Sequence, residues 1–138
     1  MINNANHSTI MREAMLNIQG LDHIVLRTCH IDQMQTFYCD VLGCQVERVN
    51  KEVGLVHLRA GAHLIDLLHV DYPSIGKNLE HFCLRIQSFD YALLQKHFHD
   101  HGIETLRYGN RYSGLGHGFS FYVSDPDGNE IEFIAAPE

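Results

Sequence analysis

Sequence features that direct a chain into membranes, out of the cell or onto nucleic acid are missing here. No apolar run approaches the ~20 residues that a membrane-spanning helix needs. Residues 1–19 lack the apolar core and the small-residue cleavage site of a secretory signal, and we interpret them as an N-terminal arm. Ten Lys and Arg face seventeen Asp and Glu, for a net charge of −7. This balance argues against nucleic acid or an anionic membrane as a partner.

The chain also lacks paired cysteines. Cys29, Cys39, Cys44 and Cys83 show no C-x-x-C spacing and no zinc-ribbon pattern. All four lie in or beside apolar stretches, so we interpret them as reduced core thiols, which favours the cytoplasm.

What the chain does contain is an internal repeat. The stretches GLDHIVLR (20–27) and NLEHFCLR (78–85) share Leu, an acid, His, Leu and Arg in the same order. A helical pattern follows each, opened by Asp32 or Asp90 and ended by Gly43 or Gly102. The repeat predicts that the same supersecondary unit occurs twice in the chain.

Three strand-like runs follow each predicted helix, so each half is predicted as β-α-β-β-β. The resulting fold class is α+β: two βαβββ modules forming a curved, mostly antiparallel sheet with helices on its convex side. The predicted strands cover residues 44–50, 53–60 and 63–70, then 104–109, 117–124 and 129–135. We predict a single domain over 20–138, with modules at 20–70 and 78–136 and a linker at 71–77.

The repeat places two histidines and two acids on one face. Side chains alternate along a strand, so His23 and His81 are predicted to face the concave side, opposite the apolar residues that meet the helices. Aligning HLIDLL (63–68) with NEIEFI (129–134) pairs Asp66 with Glu132. Carboxylates in such apolar strands are costly unless they are paired, hydrogen-bonded or bound to a metal. These four residues predict a site for one divalent ion: Ni²⁺, Zn²⁺, Fe²⁺, Co²⁺ or Mn²⁺.

These motifs resemble the vicinal oxygen chelate superfamily, which includes glyoxalase I, fosfomycin-resistance thiol transferases, extradiol dioxygenases and bleomycin-resistance proteins. The similarity covers about residues 20–136, through LDHIVLR, FYCDVLG (37–43), LEHFCLR and FYVSDPDGNEIEF (121–133). The resemblance implies that His23, Asp66, His81 and Glu132 stand at the ligand positions of glyoxalase I. Asp66 is one methylene shorter than the glutamate of that enzyme, so we expect weak or water-mediated involvement of Asp66.

The resemblance also implies an activity. We expect a metal-dependent lyase or isomerase of the glyoxalase type, acting on a vicinal-oxygen substrate such as a hemithioacetal through a metal-stabilised enediolate, with Glu132 as the base. The implied partners are a small-molecule substrate, such as a glutathione or other thiol adduct, and a second copy of the chain in a homodimer. Two alternatives stay open. One is an Fe(II) extradiol-type dioxygenase or thiol transferase, and the other is a metal-free protein that sequesters a drug-like molecule.

Four further residues are candidates for substrate binding. Arg27 stands where glyoxalase I has a glutathione-carboxylate arginine, and Lys77 stands where some members of the superfamily have Arg. The glycine-rich stretch YGNRYSGLGHG (108–118) is predicted to be a loop near the cavity mouth. It is either a flexible hairpin connection or a lid that offers Arg111 or Tyr112 to the substrate.

Overall fold

The first module follows the predicted β-α-β-β-β order. The computed structural model describes residues 21–73, 75–77, 79–87, 89–113 and 116–135, so the predicted arm at 1–19 lies outside the described residues. The first helix, Ile31–Thr36, continues into a π-helical turn, Phe37–Val41. The elements are β1 (His23–Thr28), α1 (Ile31–Thr36), β2 (Gln45–Asn50), β3 (Leu55–Ala60) and β4 (His63–His69).

The second module repeats this order after the linker. Its elements are β5 (Phe82–Ile86), α2 (Tyr91–Asp100), β6 (Arg107–Ser113), β7 (Gly116–Ser124) and β8 (Glu130–Ala135). Both helices are followed by a glycine of positive φ, +87° at Gly43 and +74° at Gly102, which is the left-handed conformation that ends helices. No helix in the described ranges is long and apolar enough to cross a membrane.

The eight strands form two four-stranded sheets of identical topology. The strand order is β1-β4-β3-β2 in the first sheet and β5-β8-β7-β6 in the second. In each sheet the first strand of the module pairs in parallel with the last, and the other two pairings are antiparallel. The predicted fold of two βαβββ modules is confirmed. Strands β1 and β5 each form one edge of their sheet.

The two modules share one hydrophobic core. Met34 and Phe37 of the first module and Phe98 and Phe121 of the second belong to the same buried cluster. Two hydrogen bonds join the modules directly. The Tyr38 hydroxyl donates to the buried Asp125 carboxylate at 2.8 Å, and the His97 ring bonds the Val41 carbonyl oxygen at 3.0 Å. The modules are therefore joined through their helix-covered sides.

Several local predictions were wrong. Helix α1 begins at Ile31, so Asp32 lies in its first turn, and His30 occupies the N-cap position without a side-chain hydrogen bond. Strand β6 covers Arg107–Ser113 instead of 104–109, because residues 107–113 pair with β7 in an antiparallel ladder. Most of the predicted loop at 108–118 is therefore strand. Only Cys44 of the four free cysteines is buried, and Cys83 is exposed.

Candidate metal centre

The first module places a histidine beside a buried carboxylate on the face away from the helices. Asp66 lies in the middle of β4 and is 3% exposed. Its cross-strand partner in β1 is Val25, which shares a face with His23 two residues earlier. The His23 Nε2 and Asp66 Oδ2 atoms lie 3.9 Å apart. His23 Nδ1 hydrogen-bonds Asp22 at 2.7 Å, which raises the pKa of His23.

A third residue of this half-site, His57, was not predicted from the sequence. It lies in β3 directly opposite Asp66, and its Nδ1 atom is 3.0 Å from Asp66 Oδ1. Because a carboxylate only accepts hydrogen bonds, His57 Nδ1 is the donor of this contact. The bond stabilises the buried charge on Asp66 and leaves its second oxygen on the side of His23.

The second module repeats the arrangement with a shorter contact. His81, immediately before β5, has its Nε2 atom 3.2 Å from Oε1 of Glu132, which is 6% exposed. Tyr122 of β7 is opposite Glu132, as His57 is opposite Asp66. Burial and a hydrogen bond to Glu132 raise the pKa of Tyr122, while Arg111 acts in the opposite direction. Tyr122 was also absent from the predicted site.

The structure separates the two residues that were predicted together in a loop. Arg111 lies on the same face of β6 as Arg107, whose cross-strand partner is Tyr122, and Arg111 lowers the pKa of Tyr122. Tyr112, the next residue, points to the other face, is 78% exposed and contacts the ring of His117. Arg111 therefore belongs to the second half-site, whereas Tyr112 is not brought to it.

Arg27 and Lys77 line a different part of the molecule. Both border a cleft of about 1230 Å³ between β1, the linker and the turn at 126–129, together with apolar residues such as Val25 and Leu79. The Lys77 ammonium lies 3.5 Å from Glu80 and 3.7 Å from Glu130. None of His23, Asp66, His81 and Glu132 lines this cleft. Within one chain, Arg27 and Lys77 therefore lie away from the histidine–carboxylate pairs.

Within one chain, the four predicted metal ligands lie in two separate pairs, one in each module. Across the described ranges, no group of three or more His, Cys, Asp or Glu side chains is placed to hold one metal ion. What the fold provides is two half-sites: His23, His57 and Asp66 in the first module, and His81, Tyr122 and Glu132 in the second. They occupy equivalent positions in sheets of identical topology.

Comparison with known proteins identifies relatives of the whole fold. The chain is 32% identical over 129 residues to the glyoxalase domain-containing protein RDO1 of Mycosarcoma maydis, covering 88% of this chain and 70% of that protein. A solved integron cassette protein from the mobile metagenome of V. cholerae is 27% identical, with a TM-score of 0.71, over 90% of this chain and all of that one.

A further solved structure shows the same fold at lower identity. The fosfomycin resistance protein FosX of Listeria monocytogenes is 20% identical, with a TM-score of 0.69, over 87% of this chain and 95% of that one. Residues 20–133 match the Glyoxalase/Bleomycin resistance protein/Dioxygenase superfamily, which is most of the chain. The chain therefore belongs to the glyoxalase/bleomycin resistance protein/dioxygenase superfamily.

Proposed function

We propose that this chain is a divalent-metal-dependent enzyme of the glyoxalase type, acting on a small substrate that presents two neighbouring oxygens. The observation that carries the proposal is the repeated histidine–carboxylate pair. Each sheet holds one pair on the face opposite the core, and both carboxylates are nearly inaccessible to solvent. Carboxylates buried at matching positions of a duplicated fold are expected to be paired or bound to a cation.

The donor set suits a borderline metal such as Ni²⁺, Zn²⁺ or Fe²⁺. Ligands held at about 2.0–2.2 Å in cis positions lie roughly 3 Å apart, close to the 3.2 Å between His81 Nε2 and Glu132 Oε1. His23 has its Nδ1 atom held by Asp22, which leaves Nε2 for a metal, as in carboxylate–histidine–metal arrangements. Asp66 is engaged by His57, so His23, His81 and Glu132 are the proposed direct ligands.

A complete site requires the two half-sites to face each other. Two donors from one module leave most of the coordination of such an ion to solvent. We therefore propose a homodimer in which His23 and Asp66 of one chain face His81 and Glu132 of the other. A two-fold contact makes two identical sites of this kind.

The residues around Glu132 suit proton transfer. The bound ion would supply Lewis-acid polarisation of the substrate oxygens. Glu132 takes the proton from the hydroxyl-bearing carbon next to the substrate carbonyl and returns it to the former carbonyl carbon. The hydroxyl proton passes to the former carbonyl oxygen, so the substrate is isomerised with no net consumption of the base. Tyr122 stands opposite Glu132 in the β7–β8 ladder, and Arg111 lies on the same face and lowers the pKa of Tyr122.

A second candidate is an iron-dependent oxygenase. The observation in its favour is the hydrogen bond from His57, which engages Asp66 and leaves His23, His81 and Glu132 as the ligand set. Two histidines and one carboxylate with open positions are the ligand set of non-haem Fe(II) oxygenases. The metal retained by the protein separates the candidates: Ni²⁺ or Zn²⁺ favours the lyase, and oxygen-sensitive Fe²⁺ favours the oxygenase.

The test is metal analysis of purified and reconstituted protein. His81→Ala is expected to lower metal content at least tenfold with a native-like circular dichroism spectrum, because it removes a direct ligand. Asp66→Asn is expected to leave metal affinity nearly intact. His99→Ala, an exposed helix position hydrogen-bonded to Glu104, is the control. Stoichiometric metal retained by His81→Ala would refute the assignment.

A further inference from the structure

A histidine-rich segment ends helix α2, outside the two half-sites. Three of the eleven histidines of the chain lie within residues 97–101, which read HFHDH. Helix α1 and its π-helical turn, the equivalent elements of the first module, contain no histidine. The segment is therefore not part of the repeated architecture that builds the half-sites. Short histidine-rich tracts are typical of metal binding.

Two of these histidines, His97 and His101, lie one helical turn apart. Side chains at positions i and i+4 are neighbours on a helix, and the tilt of the Cα–Cβ bond directs His101 back towards His97. Their ring centroids are 4.8 Å apart. An ion about 2.0–2.1 Å from a ring nitrogen lies roughly 3.2 Å from the ring centre, so two imidazoles in cis positions have centres roughly 4.5–5 Å apart. The observed spacing therefore suits two imidazoles that share one ion.

The hydrogen bond of His97 fixes which of its ring nitrogens is available. The Nε2 atom lies 3.0 Å from the Val41 carbonyl oxygen, and a carbonyl only accepts, so Nε2 carries the proton. In a neutral imidazole this leaves Nδ1 with a free lone pair. Histidines that bind metals commonly donate their other ring N–H to a carbonyl or carboxylate. The bond to Val41 thus prepares His97 as a ligand.

His101 is exposed and available to the same ion. Its ring contacts the ring of His97, and within the described ranges it forms no ion pair and no side-chain hydrogen bond. It is the C-cap residue of α2, at the helix end where the dipole favours a cation. His99 lies on a different face of the helix, and its Nδ1 atom contacts Glu104 at 2.9 Å.

We propose that His97 and His101 form a second metal site, which takes a divalent ion that prefers imidazole, such as Zn²⁺ or Cu²⁺. Among the residues that the structure describes, no third His, Cys, Asp or Glu completes a ligand group, so water supplies the other positions. An ion held by two side chains is lost on dialysis. Metal retained by the purified protein therefore reports on the half-sites, and titration reports on this site. The inference does not depend on the proposed function.

The test is a calorimetric Zn²⁺ titration of the full-length chain, stripped with EDTA and dialysed. It is performed on His81→Ala, which lacks a proposed ligand of the half-sites, and His23→Ala serves as a second background. We expect Zn²⁺ binding in both. Adding His101→Ala is expected to weaken it at least tenfold, because a direct ligand is lost. Adding His99→Ala, the matched control on another face of the helix, should change the affinity by less than about twofold.

Cu²⁺ counts the ligands directly, because pulsed electron paramagnetic resonance detects the remote nitrogens of bound imidazoles. Two imidazoles are expected in the His81→Ala background, and one or none after His101→Ala is added. Equal weakening by His99→Ala and His101→Ala, no Zn²⁺ binding in either background, or a single bound imidazole before His101 is changed would overturn the inference. Metal retained after dialysis by the wild type and by His81→Ala tests the proposed function separately, so either can fail alone.

Discussion

At the scale of single residues, the hydrogen bond from His57 stabilises the buried carboxylate of Asp66. Asp66 is 3% exposed, and His57 Nδ1 lies 3.0 Å from its Oδ1 atom. Removing the donor leaves a buried carboxylate without this partner. We expect His57→Ala to lower the free energy of unfolding by about 1–3 kcal/mol in urea denaturation.

The control for His57 is another histidine of the same sheet. His69 ends β4, and Asp71, the carboxylate 3.5 Å from its Nε2 atom, is 85% exposed. His69→Ala is expected to change the unfolding free energy by less than about 0.5 kcal/mol. Equal losses of unfolding free energy in the two variants would show that the hydrogen bond to Asp66 does not stabilise the fold.

Asp125 makes a residue-scale prediction about pH. Burial raises the pKa of Asp125 above its ordinary 3.8, while hydrogen bonds from Asn129 and Tyr38 act in the opposite direction. A carboxyl with a raised pKa binds its proton more tightly in the folded state. Its contribution to stability is therefore largest below 3.8 and falls as pH rises through the folded pKa.

The corresponding measurement compares the wild type with Asp125→Asn, which cannot titrate. From pH 3.8 upward, the unfolding free energy of the wild type should fall relative to that of the variant. Urea denaturation at a series of pH values gives both curves. Parallel curves over that window would contradict the raised pKa.

At the scale of secondary-structure elements, the two helices differ in how they begin. The Asp90 side chain accepts hydrogen bonds from the backbone N–H groups of Ala92 and Leu93, at 2.9 and 3.3 Å, and so caps α2. We expect Asp90→Ala to destabilise the protein by about 1 kcal/mol, because an N-cap is lost. His30→Ala, at the uncapped start of α1, should cost clearly less, and an equal loss of thermal stability would argue against the cap.

The elements also show which predictions the sequence supports. The repeat and the alternation of apolar residues were sufficient to predict the order of strands and helix in each module. They also predicted which face of β1 meets the core. Strand β6 was misplaced because its GNRYS segment has the composition of a loop, and only its ladder with β7 makes it a strand.

The half-sites were predicted only in part for a related reason. His23, Asp66, His81 and Glu132 follow from aligning the repeats, which uses sequence alone. His57 and Tyr122 become visible only through strand register, which pairs them with Asp66 and Glu132. The sequence did contain a signal that could have identified Tyr122, the tight turn at Asp-Pro-Asp-Gly (125–128). This turn sets the register of β7 against β8, and that register places Tyr122 opposite Glu132.

At the scale of the whole molecule, the free edges β1 and β5 favour assembly. An unpaired strand edge presents backbone donors and acceptors to another chain. We expect light scattering at micromolar concentration to give twice the chain mass of 15.8 kDa. A mass equal to one chain would exclude the proposed dimer.

The shared site of this dimer predicts complementation between defective chains. His23→Ala and Glu132→Ala chains are each expected to lack intact sites. Mixing them should restore metal binding, because each mixed dimer pairs one unmodified first module with one unmodified second module. Mixing His81→Ala with Glu132→Ala chains, both altered in the second module, is the control and should restore no complete site.

The separation of the two half-sites within one chain has a genetic consequence. If a cell carries one allele damaged in the first module and another damaged in the second, random pairing of the two products in the proposed dimer still yields some dimers with one intact site. About a quarter of the normal number of sites would be intact, since mixed dimers form half of the population and each retains one site. Two alleles damaged in the same module would not compensate for each other in this way.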